Sequence, residues 1–108
     1  MDIEFIKSPS DGVLKMLRDR SFSKDFFDNQ LFDALGLIQG KLSEMILAAD
    51  IAEKSASVKV LEIKGICPQH FTMIALLGDT SSVNVALESI TKLFDERRKA
   101  NVDRESDR

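Results

Sequence analysis

The sequence has no tryptophan and no tyrosine, and it contains a single cysteine, a single histidine and two prolines. One cysteine cannot form a disulfide within the chain, which is typical of proteins that work in a reducing cytoplasm. With phenylalanine as its only large aromatic residue, the chain has little to stack on nucleic-acid bases. No apolar run is long enough to span a bilayer. The first residues lack the basic start and long apolar stretch of a signal peptide, so none is expected.

What the chain does contain is the composition of an ordinary globular domain. It has 108 residues, of which 44% are hydrophobic and 31% are charged, with a formal net charge of −3. This length predicts one domain with a modest core, for which association with other subunits can add stability. The slightly acidic balance provides no basic surface for nucleic acid or an anionic membrane, so neither is expected as a partner.

The first part of the chain predicts a strand, a short helix and a connecting segment. Residues 3–6 carry the large apolar side chains of a short strand. Ser10 is a good N-cap for a helix that begins near Asp11. Residues 21–30 are compatible with a turn or a short helix, and we expect their phenylalanines to fill the core. These are Phe22, Phe26 and Phe27.

The middle of the chain predicts a second strand and helix. Residues 31–39 are mostly apolar, which indicates a buried strand that is best defined over residues 34–38 and that Gly40 stops. A helix over residues 43–55 follows, with Ser43 as its cap. Its predicted apolar face consists of Leu42, Met45, Ile46 and Ala49.

The remaining elements predict the fold class. Residues 58–63 alternate as a half-buried strand does, and residues 71–77 form another apolar strand. Asp79 or Thr80 then caps a second long helix. Its apolar stripe has the helical period and consists of Val83, Ala86, Leu87, Ile90, Leu93 and Phe94. The order strand–helix, linker, strand–helix–strand–strand–helix predicts an α+β fold, with helices packed on a small, mostly antiparallel sheet.

The stretch with the most chemistry is GICPQH, residues 65–70, which connects the last two predicted strands. Gly65 permits backbone angles that a side chain forbids, and Pro68 keeps Cys67 out of the helical region. A thiolate there could bind a metal, attack an electrophile or pair with another cysteine. The alternative is that Cys67 only fills space as a small hydrophobe. A thiol enzyme would need His70 as its base, and no third orienting group is evident.

Several short motifs, taken together in their order, resemble the shell domain of bacterial microcompartments (BMC). ALGLI at residues 34–38, AADIAEK at residues 48–54 and GD at residues 78–79 are similar to that family's A-x-G-x-I strand, A-A-D…K helix and helix-opening G-D turn. IKSPS at residues 6–10 resembles the segment that ends most such domains, but here it comes first. The resemblance implies a circularly permuted BMC domain that assembles as a cyclic hexamer.

Within the permuted group, the loop is similar to that of the U-type shell proteins of glycyl-radical propanediol microcompartments (GrpU). Their G-x-C-P-Q-G motif is associated with an iron–sulfur cluster in the pore of a hexamer, and this chain has His70 in place of the final glycine. The resemblance implies a [4Fe–4S] cluster bound through Cys67 and shared between subunits at the pore, and such a cluster could be lost during purification. One cube uses at most four ligands, so only three or four of the six loops would bind it. The implied cofactor-binding residues are Gly65, Ile66, Cys67, Pro68, Gln69 and His70.

The resemblance also implies a domain boundary, a location and partners. The shell domain would cover residues 1–94. Residues 95–108 are charged and have almost no large apolar residue, and this composition predicts a helix end and a disordered tail. The chain would be a structural protein of the microcompartment shell in the bacterial cytoplasm, not an enzyme. Its partners would be other copies of itself, other shell proteins and enclosed enzymes.

Two positions bear on how such hexamers would meet, and the role of the pore stays open. Lys54 matches the lysine at the edge between hexamers, whereas Ser8 stands where the family commonly has an arginine that helps neighbouring hexamers dock. The cluster would pass electrons across the wall, gate the pore or be delivered to an enclosed enzyme. The rival class is a small-molecule-binding α+β regulator that uses the Cys67 loop to hold its ligand.

Overall fold

The computed structural model describes residues 1–22, 32–65 and 71–106, with side chains described as far as residue 100. In chain order, the elements within these residues are β1 (Asp2–Lys7), α1 (Asp11–Arg20), β2 (Ala34–Lys41), α2 (Leu42–Ser55), β3 (Lys59–Ile63), β4 (Phe71–Gly78) and α3 (Thr80–Ser106). The predicted order of strands and helices is confirmed. Phe26 and Phe27 lie outside the described residues.

The strands form one 4-stranded sheet in the order β1-β2-β4-β3, and every neighbouring pair is antiparallel. α2 and α3 pack on one face of this sheet, and α1 packs on the other. The molecule therefore has three layers, with a separate apolar core on each side of the sheet. This arrangement confirms the α+β class and the small antiparallel sheet.

The face covered by α2 and α3, which we call the helix-pair face, depends on small residues in β2. Because alternate residues of a strand share a face, Ala34, Gly36 and Ile38 lie on this side together. A Cβ atom added to Gly36 would lie 3.2 Å from Val83 Cγ1 and 3.3 Å from Leu87 Cδ2. The glycine therefore lets α3 lie directly against the strand, which is the physical reason for the A-x-G-x-I pattern.

The opposite face, which we call the α1 face, has a thinner cover as far as residues 1–22, 32–65 and 71–106 show. Leu17 is the one residue of α1 that is buried, and it packs with Leu35, Leu77 and Ala75 of the sheet. Val13 adds a half-buried contact one turn earlier. A helix of 10 residues thus covers the side of the sheet opposite the two longer helices.

Both helices that follow a polar turn begin at the predicted caps. The Ser10 hydroxyl accepts a hydrogen bond from the Val13 N–H at 3.2 Å at the start of α1. At the start of α3, the Asp79 carboxylate accepts from the Ser82 N–H at 2.8 Å and from the hydroxyls of Ser81 at 2.9 Å and Ser82 at 3.1 Å. The Ser82 N–H and then these hydroxyls hold the pKa of Asp79 below its ordinary value.

The junction between β2 and α2 differs from the prediction. Gly40 does not stop the strand, because β2 continues through it to Lys41 and stays paired with β4. α2 begins directly after Lys41, so Ser43 is not its cap. The Lys41 N–H instead donates to Glu44 Oε1 at 3.1 Å. A Cβ atom on Gly40 would lie 3.0 Å from Met45 Cε, so the glycine makes room for a helix that folds straight back onto the strand.

The buried side of α2 also differs from the prediction. Met45, Ala48 and Ala52 are buried. Leu42 and Ile46, which we expected on the apolar face with Met45, are 47% and 64% exposed. The alanines allow the closest approach to the sheet and to α3, so their side of the helix turns inward and carries the two larger side chains outward.

α3 has the predicted stripe but runs further than expected. Its buried residues are Val83, Ala86, Leu87 and Ile90. The helix continues to Ser106, so most of the segment after Asp95 that we expected to be a disordered tail is helical. That segment has no glycine or proline, and its most frequent residue is arginine, which favours helix. Among the described residues, no helix has the length and apolar composition needed to cross a membrane.

Candidate functional site: the β3–β4 connection

The sequence places its chemistry in the connection between β3 and β4. Of the predicted loop residues, only Gly65 lies within the described part of the chain, and residues 66–70, with Cys67 and His70, lie outside it. The predictions about those residues therefore stay predictions. What the structure describes is the frame of this connection, namely where the chain enters it and where it leaves.

Where the chain enters the connection, the end of β3 is bonded to the residues at the end of α1. Ile63, the last residue of β3, pairs with Met73 of β4 on one side and forms a β-bridge with Ser21 on the other. The Lys64 N–H then donates to the Arg20 carbonyl oxygen at 2.6 Å. Ser21 is 1% exposed, so this pairing lies inside the molecule. Although α1 belongs to a distant part of the sequence, its last residues lie antiparallel to the end of β3.

A side-chain contact accompanies this backbone pairing. The Lys64 ammonium nitrogen lies 4.7 Å from the centroid of the Phe22 ring, which is cation–π geometry. Phe22 is 62% exposed, so our expectation that it fills the core is wrong. Its ring faces a cation at the surface because the chain leaves α1 along the outer edge of β3.

Gly65 does not need to be glycine in the way the sequence suggested. Its φ is not in the left-handed region, and no atom of the described residues would lie within 4 Å of a Cβ atom there. An alanine would therefore fit at this position. The loop's proposed need for a permissive residue at Gly65 is not seen in the described backbone.

Where the chain leaves the connection, the start of β4 is paired with β2. Phe71 pairs with Lys41, and Thr72 pairs with Gly40. Three large apolar side chains collect at this end of the sheet: Met1, Leu42 and Phe71 are 47%, 47% and 45% exposed. Leu42 follows Lys41 directly, and Met1 Cγ lies 3.8 Å from the Cβ position of Gly40. We call these three residues the apolar rim.

The described residues do not hold a metal site of their own. Nowhere in that part of the chain do three cysteine, histidine, aspartate or glutamate side chains come together as metal ligands. Cys67 is the only thiol, and one thiolate is too few for an iron–sulfur cluster, which takes about four. The donor set therefore fits a cluster only if several copies of the chain supply a cysteine each.

Lys54, the predicted edge residue, lies in the last turn of α2. Its ammonium nitrogen is 2.9 Å from Asp50 Oδ2, and the two side chains are 74% and 54% exposed. Such an exposed i, i+4 pair contributes little to stability. The side chain is therefore accessible at the surface, on the outer side of α2.

Sequence reasoning missed the residues that frame the site on its α1 side. Arg20, Ser21 and Phe22 had no role in the predicted loop, because nothing in the local pattern indicates that they meet β3. Phe22 lies between two serines, with Arg20 and Lys24 one residue further out, and we interpreted it as core although this polar setting was an available signal of exposure.

Comparisons with known proteins agree with this fold. Residues 34–104 match the model of the BMC domain family. The ligand-free GrpU microcompartment shell protein from Clostridiales bacterium 1_7_47FAA is 36% identical, with a TM-score of 0.64 over 84% of this chain and 88% of that chain. The ligand-free GrpU shell protein from Pectobacterium wasabiae is also 36% identical, with a TM-score of 0.67 over 83% of this chain and 99% of that one.

A more distant structure shares the fold alone. The fused permuted hexameric shell protein from the RMM microcompartment is 15% identical, with a TM-score of 0.66 over 87% of this chain and 45% of that chain. No curated protein matches the sequence.

Proposed function

The chain belongs to the BMC domain family, and we propose that six copies form a closed ring whose pore is lined by residues 65–70 and holds a shared iron–sulfur cluster. The chain is a structural shell protein of a bacterial microcompartment and not an enzyme. Its place is the microcompartment shell, within the bacterial cytoplasm. Beyond this, we propose the ring of six, the cluster, and an enclosed glycyl-radical pathway that processes propanediol.

The observation that carries the ring is the apolar rim. Met1, Leu42 and Phe71 each expose close to half of a large apolar side chain at one end of the sheet. Large apolar side chains exposed at one end of a sheet, on both of its faces, fit a contact with another molecule. The rim flanks the β3–β4 connection, so a contact that buries the rim between copies would bring their connections near one axis. A small domain also gains stability from such a contact.

The ring can be tested by breaking the rim. We expect wild-type protein to have about six times the chain mass of 12.1 kDa by light scattering, and Leu42→Asp and Phe71→Asp to give smaller species. Met16→Asp is the matched control, because Met16 is 61% exposed but lies on α1, away from the rim. Circular dichroism checks that each variant is folded. A monomeric wild type, or a rim variant that keeps the full mass, would contradict the ring.

The proposed cluster depends on the ring and on the number of cysteine ligands that the ring supplies. A ring of six supplies six Cys67 thiolates at its axis, of which three or four suffice. In the empty ring these thiolates would repel one another as anions, and bound iron would relieve that repulsion. When bound, a cluster would supply a one-electron redox centre within the wall. The chain's own residues would hold it through Cys67 thiolates and the backbone on either side.

Iron and acid-labile sulfide per chain, in protein prepared anaerobically, test the cluster. Cys67→Ser should lose both and keep the ring. His70→Gly restores the glycine of the GrpU motif and removes a bulky side chain, so we expect it to raise the iron content. Equal iron in wild type and Cys67→Ser would exclude the cluster, and less iron in His70→Gly would make His70 a ligand instead.

A further inference from the structure

The two ends of the β3–β4 connection are held by different parts of the molecule. At the exit, Phe71 is paired with Lys41 in the centre of the sheet. At the entry, the sheet provides no such support beyond Ile63, because β3 is the edge strand and ends there. The entry is held instead by the end of α1, which packs on a different face from α2 and α3. The direction of the chain after β3 therefore depends on α1.

Two kinds of contact join the end of α1 to the end of β3. The backbone part is the Ser21–Ile63 bridge and the hydrogen bond of 2.6 Å from the Lys64 N–H to the Arg20 carbonyl oxygen. The side-chain part is the Lys64 ammonium over the Phe22 ring at 4.7 Å. Phe22 is 62% exposed and Lys64 is exposed, so neither side chain is placed there by core packing. Their contact adds a side-chain link at the surface to the backbone pairing.

We propose that Phe22 and Lys64 form a positioning clasp that fixes the direction in which the chain leaves β3, and thereby the place from which Cys67 is presented. The inference rests on the proposed function only for the consequence on iron. Ligands that must converge from several copies bind best when each is held in place beforehand, because the ordering cost is then already met. Loosening the entry should spread the positions of Cys67 and weaken a site shared between chains.

The test uses full-length, iron-free protein, with variants that remove or keep the cation–π contact between Lys64 and Phe22. Phe22→Leu and Lys64→Met remove it, whereas Phe22→Tyr and Lys64→Arg keep an aromatic ring or a cation. The first readout is hydrogen exchange at the Lys64 amide. The second is the rate at which the Cys67 thiol reacts with a small disulfide reagent, which reports one site because Cys67 is the only cysteine.

We expect both rates to rise about two- to five-fold in Phe22→Leu and Lys64→Met, which corresponds to the usual strength of an exposed cation–π contact. Phe22→Tyr and Lys64→Arg should behave as wild type. The double variant Phe22→Leu, Lys64→Met should match the single variants and not multiply their effects, because both remove the same contact. Met16→Ala, a change of comparable exposure on α1, should leave both rates unchanged.

The clasp would be overturned if Phe22→Leu left both rates at the wild-type value, or if Phe22→Tyr behaved like Phe22→Leu. Midpoints of urea unfolding should fall by no more than the strength of this one contact, so a variant whose midpoint falls further would point to a general structural role instead. In protein loaded anaerobically, Phe22→Leu should retain less iron per chain than Phe22→Tyr. If wild type binds no iron, the proposed cluster fails, but the exchange and thiol rates still decide the clasp.

Discussion

The two faces of the sheet are covered in different ways. On the helix-pair face, small residues such as Gly36 and Ala48 let two helices lie close, and residues as large as Ile90 are completely buried. On the α1 face, one short helix contributes a single buried side chain, Leu17. Among the described residues, more apolar side chains are buried on the helix-pair face, although Leu35 and Leu77 on the α1 face are buried as completely as Ile90. α1 contributes less to the core, but its end holds the chain where it leaves β3.

The comparison predicts unequal costs for removing a buried side chain. Ile90→Ala should lower the free energy of unfolding by about 3–4 kcal/mol, because the dense packing around a fully buried side chain cannot close the cavity. Leu17→Ala should cost about 2 kcal/mol, at the low end of the usual range, since the thin cover can collapse. Urea unfolding at one fixed chain concentration measures both. Equal losses would mean that the two cores are packed alike.

Two glycines sharpen the same contrast. Gly36→Ala should destabilise by about 1–3 kcal/mol, because the new methyl group would press on Val83 and Leu87. Gly12→Ala in α1 has nothing within 4 Å of the added Cβ, so it should stabilise by about 0.5 kcal/mol through the unfolded chain. The pair gives opposite signs for the same chemical change. A stabilising Gly36→Ala would refute close packing of α3 on β2.

The two N-caps extend the comparison to pH. The folded pKa of Asp79 is lowered, so its stabilisation is fully present above the unfolded pKa and is lost as pH falls through the folded pKa, below about pH 4. Asp79→Ala should therefore lower the melting temperature at pH 7 and flatten the acid side of the stability curve. Ser10→Ala should cost about 1 kcal/mol at every pH, since a hydroxyl cap does not titrate. If Asp79→Ala lost stability at low pH as steeply as wild type, groups other than Asp79 would be responsible for the acid sensitivity.

The smallest effect on folding is expected at the outer surface of α2. Lys54→Ala breaks an exposed ion pair with Asp50 and should change the free energy of unfolding by less than about 0.5 kcal/mol. If Lys54 lies at an edge between rings, the variant should keep the ring mass and lose ordered sheets in electron micrographs. Lys15→Ala on α1 is the control with an exposed lysine on the other face. If Lys54→Ala lost the ring itself, Lys54 would instead contribute to a contact between subunits of one hexamer.

The sequence by itself predicts the elements and their order, because these depend on local chemistry. A polar cap such as Ser10 or Asp79 acts on N–H groups two or three residues away, and it can be recognised without knowing the fold. The stripe that ends at Ile90 follows from the helical period alone. The motif around Gly36, taken with the order of the others, is specific enough to indicate the family.

Tertiary structure decided the features that depend on a distant partner. β2 continues through Gly40 because β4 stays paired with it, and α2 turns Ile46 outward because its alanine side fits closest. Phe22 meets Lys64 only because the sheet order leaves β3 at the edge, where the end of α1 can pair with it. Such contacts bring together residues far apart in the chain, and no local periodicity encodes which of them will meet. The role of Cys67 also depends on distant partners, because its remaining ligands would come from other copies of the chain.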